Sequence, residues 1–229
     1  MSTFAQLTDL VINNLEGGYY HPDMKAKLVN GDKLGESGET MFGFDRKASG
    51  SLVDTERGRE FWRIVDENYG SHHGDTKYYN DKANGKLVSA AVGEVLRRLI
   101  TEIMTIQFNK YADWLTPEAK ELVMSSPALL MQFWYACWNG PGRFQVFAQL
   151  VNAAVANGMK ATADLYGILD KNRRSWGNWS AQRADTITGI CNQYLGGISA
   201  TTTSSGGSIV GWLIGGLAAF LLIKALTKK

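Results

Sequence analysis

Cysteine is nearly absent from this chain. Cys137 and Cys191 are the only two, too few for a disulfide framework. Cys137 falls inside the aromatic stretch Phe133-Trp134-Tyr135-Ala136-Cys137-Trp138 and reads as a core residue, so a Cys137–Cys191 bridge is the less favoured alternative. Excess charge is missing too. The 24 Lys and Arg face 22 Asp and Glu. Lys224, Lys228 and Lys229 all lie in the last 24 residues, which hold no acid, so 21 basic residues stand against 22 acidic ones elsewhere. That balance gives no footing for nucleic acid as a partner. Histidine occurs three times, at His21, His72 and His73. Adjacent histidines point in different directions, and no Cys/His/Asp set has ligand spacing, so neither a metal nor another cofactor is expected. No Lys or Arg precedes Lys25, so the N-terminus reads as lacking the basic region of a secretory signal. The chain has no internal repeat.

What is present is apolar and patterned. With 229 residues, 45% of them hydrophobic and 11% aromatic, the chain is long enough for one domain of about 200 residues with a real core, plus an appendage. The appendage is C-terminal. Between residues 209 and 226 the only charge is Lys224, close enough to the end to snorkel. Eighteen helical residues span about 27 Å, near the thickness of a bilayer core. The run predicts a single transmembrane helix at 209–226, behind a Thr/Ser/Gly-rich flexible linker at 201–208 and a folded domain at 1–200. Gly207, Gly211, Gly215 and Ala219 recur every four residues, a stripe through which two such helices can pack closely in lipid. The lysines beyond the run favour a cytoplasmic C-terminus.

Within the domain the pattern is mainly helical. Phe4, Leu7, Leu10, Val11 and Leu15 have helical spacing, as do Phe61, Ile64 and Val65 in 55–69, and Leu87, Ala91, Val95, Leu99, Ile103 and Ile106 in 86–114. Thr116-Pro117 and Ser126-Pro127 both read as an N-cap followed by proline at the first helical position. The helix from 128 to 138 is apolar almost all round, which predicts a buried central helix. Asn139-Gly140-Pro141-Gly142 is a sharp break, and further helices are expected over 143–156, 162–169 and 181–195. Turn signals at Asn30-Gly31-Asp32 and Gly35 mark a small β-hairpin, with 27–29 and 40–44 as its likeliest strands. Residues 71–85 read as a loop. The fold class expected is α+β, mainly α.

One stretch, Leu15-Glu16-Gly17-Gly18-Tyr19, combines an ionisable group with a helix end. The two glycines terminate the first helix, leaving Glu16 on its last turn among apolar side chains. A carboxylate at a helix C-terminus meets the negative end of the dipole. Partial burial adds to this, so its neutral form is favoured and its pKa should rise. A carboxylic acid still protonated near neutral pH serves as a general acid. The alternative is an exposed Glu beside a glycine cap.

Two further motifs join Glu16-Gly17-Gly18-Tyr19 in order: Glu36-Ser37-Gly38-Glu39-Thr40-Met41-Phe42-Gly43-Phe44 and Trp138-Asn139-Gly140-Pro141-Gly142-Arg143. Together they resemble glycoside hydrolase family 108, the N-acetylmuramidases related to phage lysozymes. Those proteins open with a helix ending in Glu-Gly-Gly-Tyr or a close variant. A glycine-rich turn with a threonine follows, and later an Asn-x-Gly-Pro-x-Arg-like turn between core helices. Trp176-Gly177-Asn178-Trp179 and Arg183 resemble the family's closing Trp/Arg segment. The resemblance implies a lysozyme-like fold over about residues 4 to 195 and cleavage of the glycan strands of peptidoglycan. It makes Glu16 the acid that protonates the glycosidic oxygen, and places Thr40 across the cleft to position a water. The family's aspartate, five residues before the threonine, is Gly35 here, and Glu36 is the nearest acid. Glycosidases commonly use two carboxylates. If Glu36 or Glu39 faces Glu16, hydrolysis follows; if neither does, the one-carboxylate route of a lytic transglycosylase remains. Tyr19 is an aromatic that either stacks on sugar or packs near the core, and Asn139 and Arg143 either touch the glycan or shape the turn.

The expectation is therefore a membrane-anchored, phage-type muramidase with Glu16, Glu36 and Thr40 as catalytic candidates and Tyr19, Asn139 and Arg143 as substrate-binding ones. Its partners would be bacterial peptidoglycan and a lipid membrane, in a virion membrane or the host envelope during entry or lysis. The rivals are a virion membrane structural protein with an inactive lysozyme-like domain, and a helical adaptor that binds peptidoglycan without cutting it.

Overall fold

The computed structural model describes residues 4–16, 18–20, 40–47, 49–69 and 90–198. Helix α1 (Phe4–Val11) runs without a break into a π-helical turn (Ile12–Glu16). Three two-residue strands follow, β1 (Tyr19–Tyr20), β2 (Thr40–Met41) and β3 (Phe44–Asp45). They form one antiparallel sheet in the order β1-β2-β3, with Tyr20 opposite Thr40 and Thr40 opposite Asp45. The rest is helical: a short 3-10 turn (Gly50–Leu52), α2 (Glu56–Tyr69), α3 (Ala90–Ala112), α4 (Pro117–Ser125), α5 (Pro127–Trp138), α6 (Pro141–Ala156), α7 (Thr162–Arg174) and α8 (Asn178–Tyr194). The described part is thus mainly α with a small sheet near its start.

Local chemistry accounts for several boundaries. Thr116 accepts a hydrogen bond from the Ala119 amide at 3.4 Å, and Ser126 one from the Leu129 amide at 3.3 Å. Each is followed by proline, which has no N–H to leave unsatisfied at a helix start. Asn139 closes α5, its side-chain amide donating to the Tyr135 carbonyl at 2.8 Å. The chain then reverses at Gly140, whose φ of 87° suits glycine, before Pro141 opens α6.

The core is organised around α5. Every residue from Ala128 to Cys137 is buried, and the helix packs against α1, α3, α4, α6, α7 and α8. A helix so enclosed has no face to spare for charge, as its composition requires. Aromatic rings fill the space around it. Phe4 stacks on Trp134 with centroids 4.6 Å apart, Phe108 and Phe133 meet Phe144 at 5.7 and 5.0 Å, and Trp134 meets Trp138 edge-on at 5.9 Å. Cys137 and Cys191 are both buried and unbonded, and burial pushes both thiols above their ordinary pKa.

Three expectations need correction. Residues 40–44 are not one strand. They fold back as a hairpin whose turn is Phe42-Gly43, both at positive φ, 55° and 73°. Two consecutive positive φ values are what a tight two-residue hairpin demands. Phenylalanine is a poor turn former, so the sequence gives no sign of it. Phe42 is held in place from several directions. Its amide donates to the Gly18 carbonyl at 3.2 Å, its carbonyl accepts from Trp138 Nε1 at 2.9 Å, and its buried ring lies 5.3 Å from the Arg97 guanidinium. Second, the first helix ends in a π turn rather than an α turn. Third, α7 continues past Leu169 to Arg174, because Arg173 is buried in the core rather than lost to solvent.

Among the described residues no helix is long and apolar enough to cross a membrane. The expected anchor at 209–226, the linker at 201–208, the strand at 27–29, Glu36, Glu39 and all three histidines lie outside the described residues.

Candidate functional site

The π turn aims Glu16. In an α-helix five residues carry the chain about 500°, so Glu16 would sit roughly 140° from Val11 and face away from the core. A π turn bonds residue i to i+5 and winds more slowly, which brings residues five apart toward the same side. Glu16 therefore follows fully buried Val11 inward. π turns recur at functional sites, where they re-aim a side chain.

Three elements close around it. The Gly18 carbonyl, two residues on, holds Phe42, and this draws the β2–β3 turn over the carboxyl. Gly43 lies so near that a Cβ there would stand 2.7 Å from Glu16 Oε2, 2.9 Å from Glu16 Cγ and 2.9 Å from Trp138 Cδ1. Only glycine leaves the carboxyl this much room. Trp138, on the last turn of α5, forms the second wall, fixed by its bond to Phe42. Helix α8 packs against the π turn and brings Arg183 to it.

Glu16 is half-buried as a residue, with its carboxyl at the enclosed end. Burial raises its pKa above the ordinary glutamate value, while the Tyr135 hydroxyl and the positive charge of Arg183 pull it back. Desolvation wins, because it acts on the whole charge whereas Arg183 acts through space. Tyr135 is fully buried one helical turn before Trp138, and its hydroxyl makes no regular hydrogen bond among the described residues. It faces Glu16, and its own pKa is raised first by burial and then by the Glu16 charge. The hydroxyl's reach to Glu16 is what lowers the glutamate's pKa. Here it is poised to donate once Glu16 becomes a carboxylate.

Behind Tyr135 lies a buried cation. Arg173 donates from Nε to Gln132 Oε1 at 3.0 Å and from Nη2 to the Gln132 carbonyl at 3.1 Å. Its guanidinium is 5.0 Å from the Tyr135 ring, 5.1 Å from Phe147 and 5.3 Å from Trp176. Burial lowers its pKa to about 10, so it stays charged at neutral pH and supplies a fixed positive field under Tyr135.

The candidates from sequence divide as follows. Glu16 is at the centre of the cluster. Thr40 is half-buried in the middle strand of the sheet. Tyr19 contributes backbone to β1, paired with Met41. Asn139 spends its amide on capping α5. Arg143 lies on the first turn of α6 with its guanidinium 4.0 Å above the Trp176 ring, and burial lowers its pKa. Sequence reasoning missed Tyr135, Arg183 and Gly43 as partners of Glu16. The i, i+3 spacing of Tyr135 and Trp138 was the one local hint that both face the same side.

A separate concavity of about 320 Å³ lies between the hairpin and α2, lined by Arg46, Arg59, Trp62, Arg63 and Asp66 among others. Its arginines are engaged: Arg46 holds Asp66 through two bonds of 2.7 Å, and Arg63 pairs with Glu67. It holds none of the groups around Glu16.

No protein-family model, curated protein or solved structure matches the chain.

Proposed function

We propose that this chain is a glycosidase of the lysozyme type that cuts the glycan strands of peptidoglycan, with Glu16 as general acid. The observation that carries the reading is one enclosed carboxyl, held partly out of water by Gly43 and Trp138, with its pKa raised by burial. A surface glutamate beside a glycine cap has no such enclosure. In the reaction the Glu16 proton passes to the glycosidic oxygen as the bond from that oxygen to the anomeric carbon breaks. The developing carboxylate is met by the Tyr135 hydroxyl and the Arg183 charge, which stabilise the negative charge that appears on Glu16 as its proton leaves. Water, or a hydroxyl of the same sugar, then bonds to the anomeric carbon and gives up its proton to restore the Glu16 acid; the first is hydrolysis, the second, which closes a ring, transglycosylation. Thr40 and Glu36 are the proposed guides of the water, Tyr19, Asn139 and Arg143 the proposed glycan contacts. The domain is held to a virion membrane or host envelope by residues 209–226.

The test is Glu16→Gln, which keeps shape and loses the proton. Positioned general acids contribute about 10²–10⁴-fold, and turnover of cell walls should fall by that factor, with the fold intact. Mass spectrometry of the released muropeptides then separates reducing ends, from hydrolysis, from anhydro ends, from transglycosylation. Equal lysis by wild type and folded Glu16→Gln would sink the enzyme reading. Inactivity of both on every wall tested would favour a virion structural protein.

A further inference from the structure

Helix α8 does more than close the site. Trp179 and Arg183 are four residues apart, so they share one face of its first turns, and the guanidinium lies 4.9 Å from the indole centroid. Trp179 is 50% exposed, the most exposed tryptophan among the described residues. Arg183 forms no ion pair with an acid among the described residues, in contrast to Arg46, Arg57, Arg63, Arg97 and Arg174, each of which holds a carboxylate. A half-exposed indole and a guanidinium that lies over one of its faces, without a salt bridge to any acid among the described residues though its charge reaches Glu16, thus stand on the helix that packs against the segment carrying Glu16.

Stacking on a flat apolar face is what a pyranose ring offers, and an arginine fork is matched to a carboxylate. We propose that Trp179 and Arg183 form a strand-binding subsite beside Glu16: the indole stacks on a sugar ring and Arg183 pairs with a carboxylate of the acidic peptide that the strand carries. This rests on the peptidoglycan reading and adds to it a reason for preferring peptide-bearing strands over neutral amino-sugar polymers.

The test reads binding rather than cutting. Full-length protein carrying Glu16→Gln is sedimented with intact cell-wall sacculi and with sacculi whose carboxylates have been amidated. Intact walls should be bound at least about tenfold more tightly, a difference one charge-assisted pair can supply. Adding Arg183→Gln should bring affinity for intact walls down to the amidated level, Arg183→Lys should retain most of it, and Trp179→Ala should weaken both by about tenfold. Equal binding of intact and amidated walls by the parent overturns the proposal and needs no further variant. Affinity unmoved by both Arg183→Gln and Trp179→Ala overturns it as well. Wild-type cleavage measured in parallel separates the two ideas. Cutting with unmoved binding refutes the subsite alone, whereas no cutting and no binding refutes the underlying function.

Discussion

Adding one methyl group at Gly43 tests the site without touching an ionisable group. Gly43→Ala meets two obstacles. The φ of 73° is unfavourable for an L side chain, at about 1–2 kcal/mol. The new Cβ would also stand 2.7 Å from Glu16 Oε2 and 2.9 Å from Trp138 Cδ1, closer than atoms pack, so Glu16 must move and the turn must also back away from the indole. Trp138 is pinned by its bond to the Phe42 carbonyl and by its edge contact with Trp134. The Glu16 carboxyl is the end of a flexible side chain in a half-open site, and it moves. Stability should then fall by the backbone share plus the cost of that shift, about 2–3 kcal/mol, or roughly 4–12 °C in melting temperature for a domain of this size. A displacement of about 1 Å costs catalysis on the order of 100-fold, so turnover should drop far more than stability. Moved toward water, Glu16 loses part of the desolvation that raises its pKa, and the alkaline limb of the pH–rate profile shifts to lower pH. Gly158→Ala is the control: its φ is 88°, but nothing lies within 4 Å of the added carbon. It should carry the backbone share alone and leave the pH profile in place. Wild-type turnover with an unshifted alkaline limb in folded Gly43→Ala would refute the reasoning; a collapse of stability well beyond 3 kcal/mol would show that Trp138, not Glu16, gives way.

Other perturbations probe neighbouring parts. Tyr135→Phe removes the hydroxyl that, with Arg183, holds the Glu16 pKa down, so the alkaline limb should move to higher pH. Glu16 contributes stability that is complete below its ordinary value of 4.5 and lost as pH rises through its raised folded value. Each unit of that shift is about 1.4 kcal/mol, so Glu16→Gln should flatten this part of the pH–stability curve and melt later than wild type above the raised pKa. Arg173→Met strands the buried Gln132 side-chain oxygen and should cost about 1–3 kcal/mol. Arg173→Met with Gln132→Leu removes the side-chain acceptor too, and should recover much of the loss in a denaturation series; a double variant worse than the single would refute this view of the buried cation. Ending the chain after Thr203 should leave the melting temperature unchanged and abolish partitioning into membranes, whereas unfolding on truncation would make 209–226 part of the core.

Much of this was readable where the cause is local. Thr116-Pro117 and Ser126-Pro127 start helices because a hydroxyl and a missing N–H act within four residues of chain. The all-apolar run of α5 could only be buried, whatever surrounds it. The site was legible in part. Glu16 announced itself through Gly17-Gly18 and its apolar neighbours, but the π turn that aims it leaves no mark on a pattern of helical period. Phe42-Gly43 read as strand because nothing in two residues reveals that Gly18, Trp138 and Arg97 hold the backbone where phenylalanine alone would not go. Tyr135 and Arg183 lie more than 100 residues from Glu16, and only packing brings them to it.

The strained turn also bears on the order in which the molecule assembles and opens. Three strands of two residues cannot hold a left-handed phenylalanine by themselves, because each bond that fixes Phe42 comes from elsewhere in the chain. Trp138 is in place only when α5 is docked, and Arg97 only when α3 is bound to α1 through Asp9 and Asn13. The hairpin should therefore close after the helices have packed, and amide exchange at Phe42 should be faster than in the helix Pro127–Trp138. In such an opening Gly43 would lift from the Glu16 carboxyl, water would enter, and the pKa would fall back toward its ordinary value while the helical core stays folded. A local fluctuation well short of unfolding thus removes the burial that raises the Glu16 pKa, and how far that pKa is raised measures how firmly the turn at Phe42-Gly43 is shut.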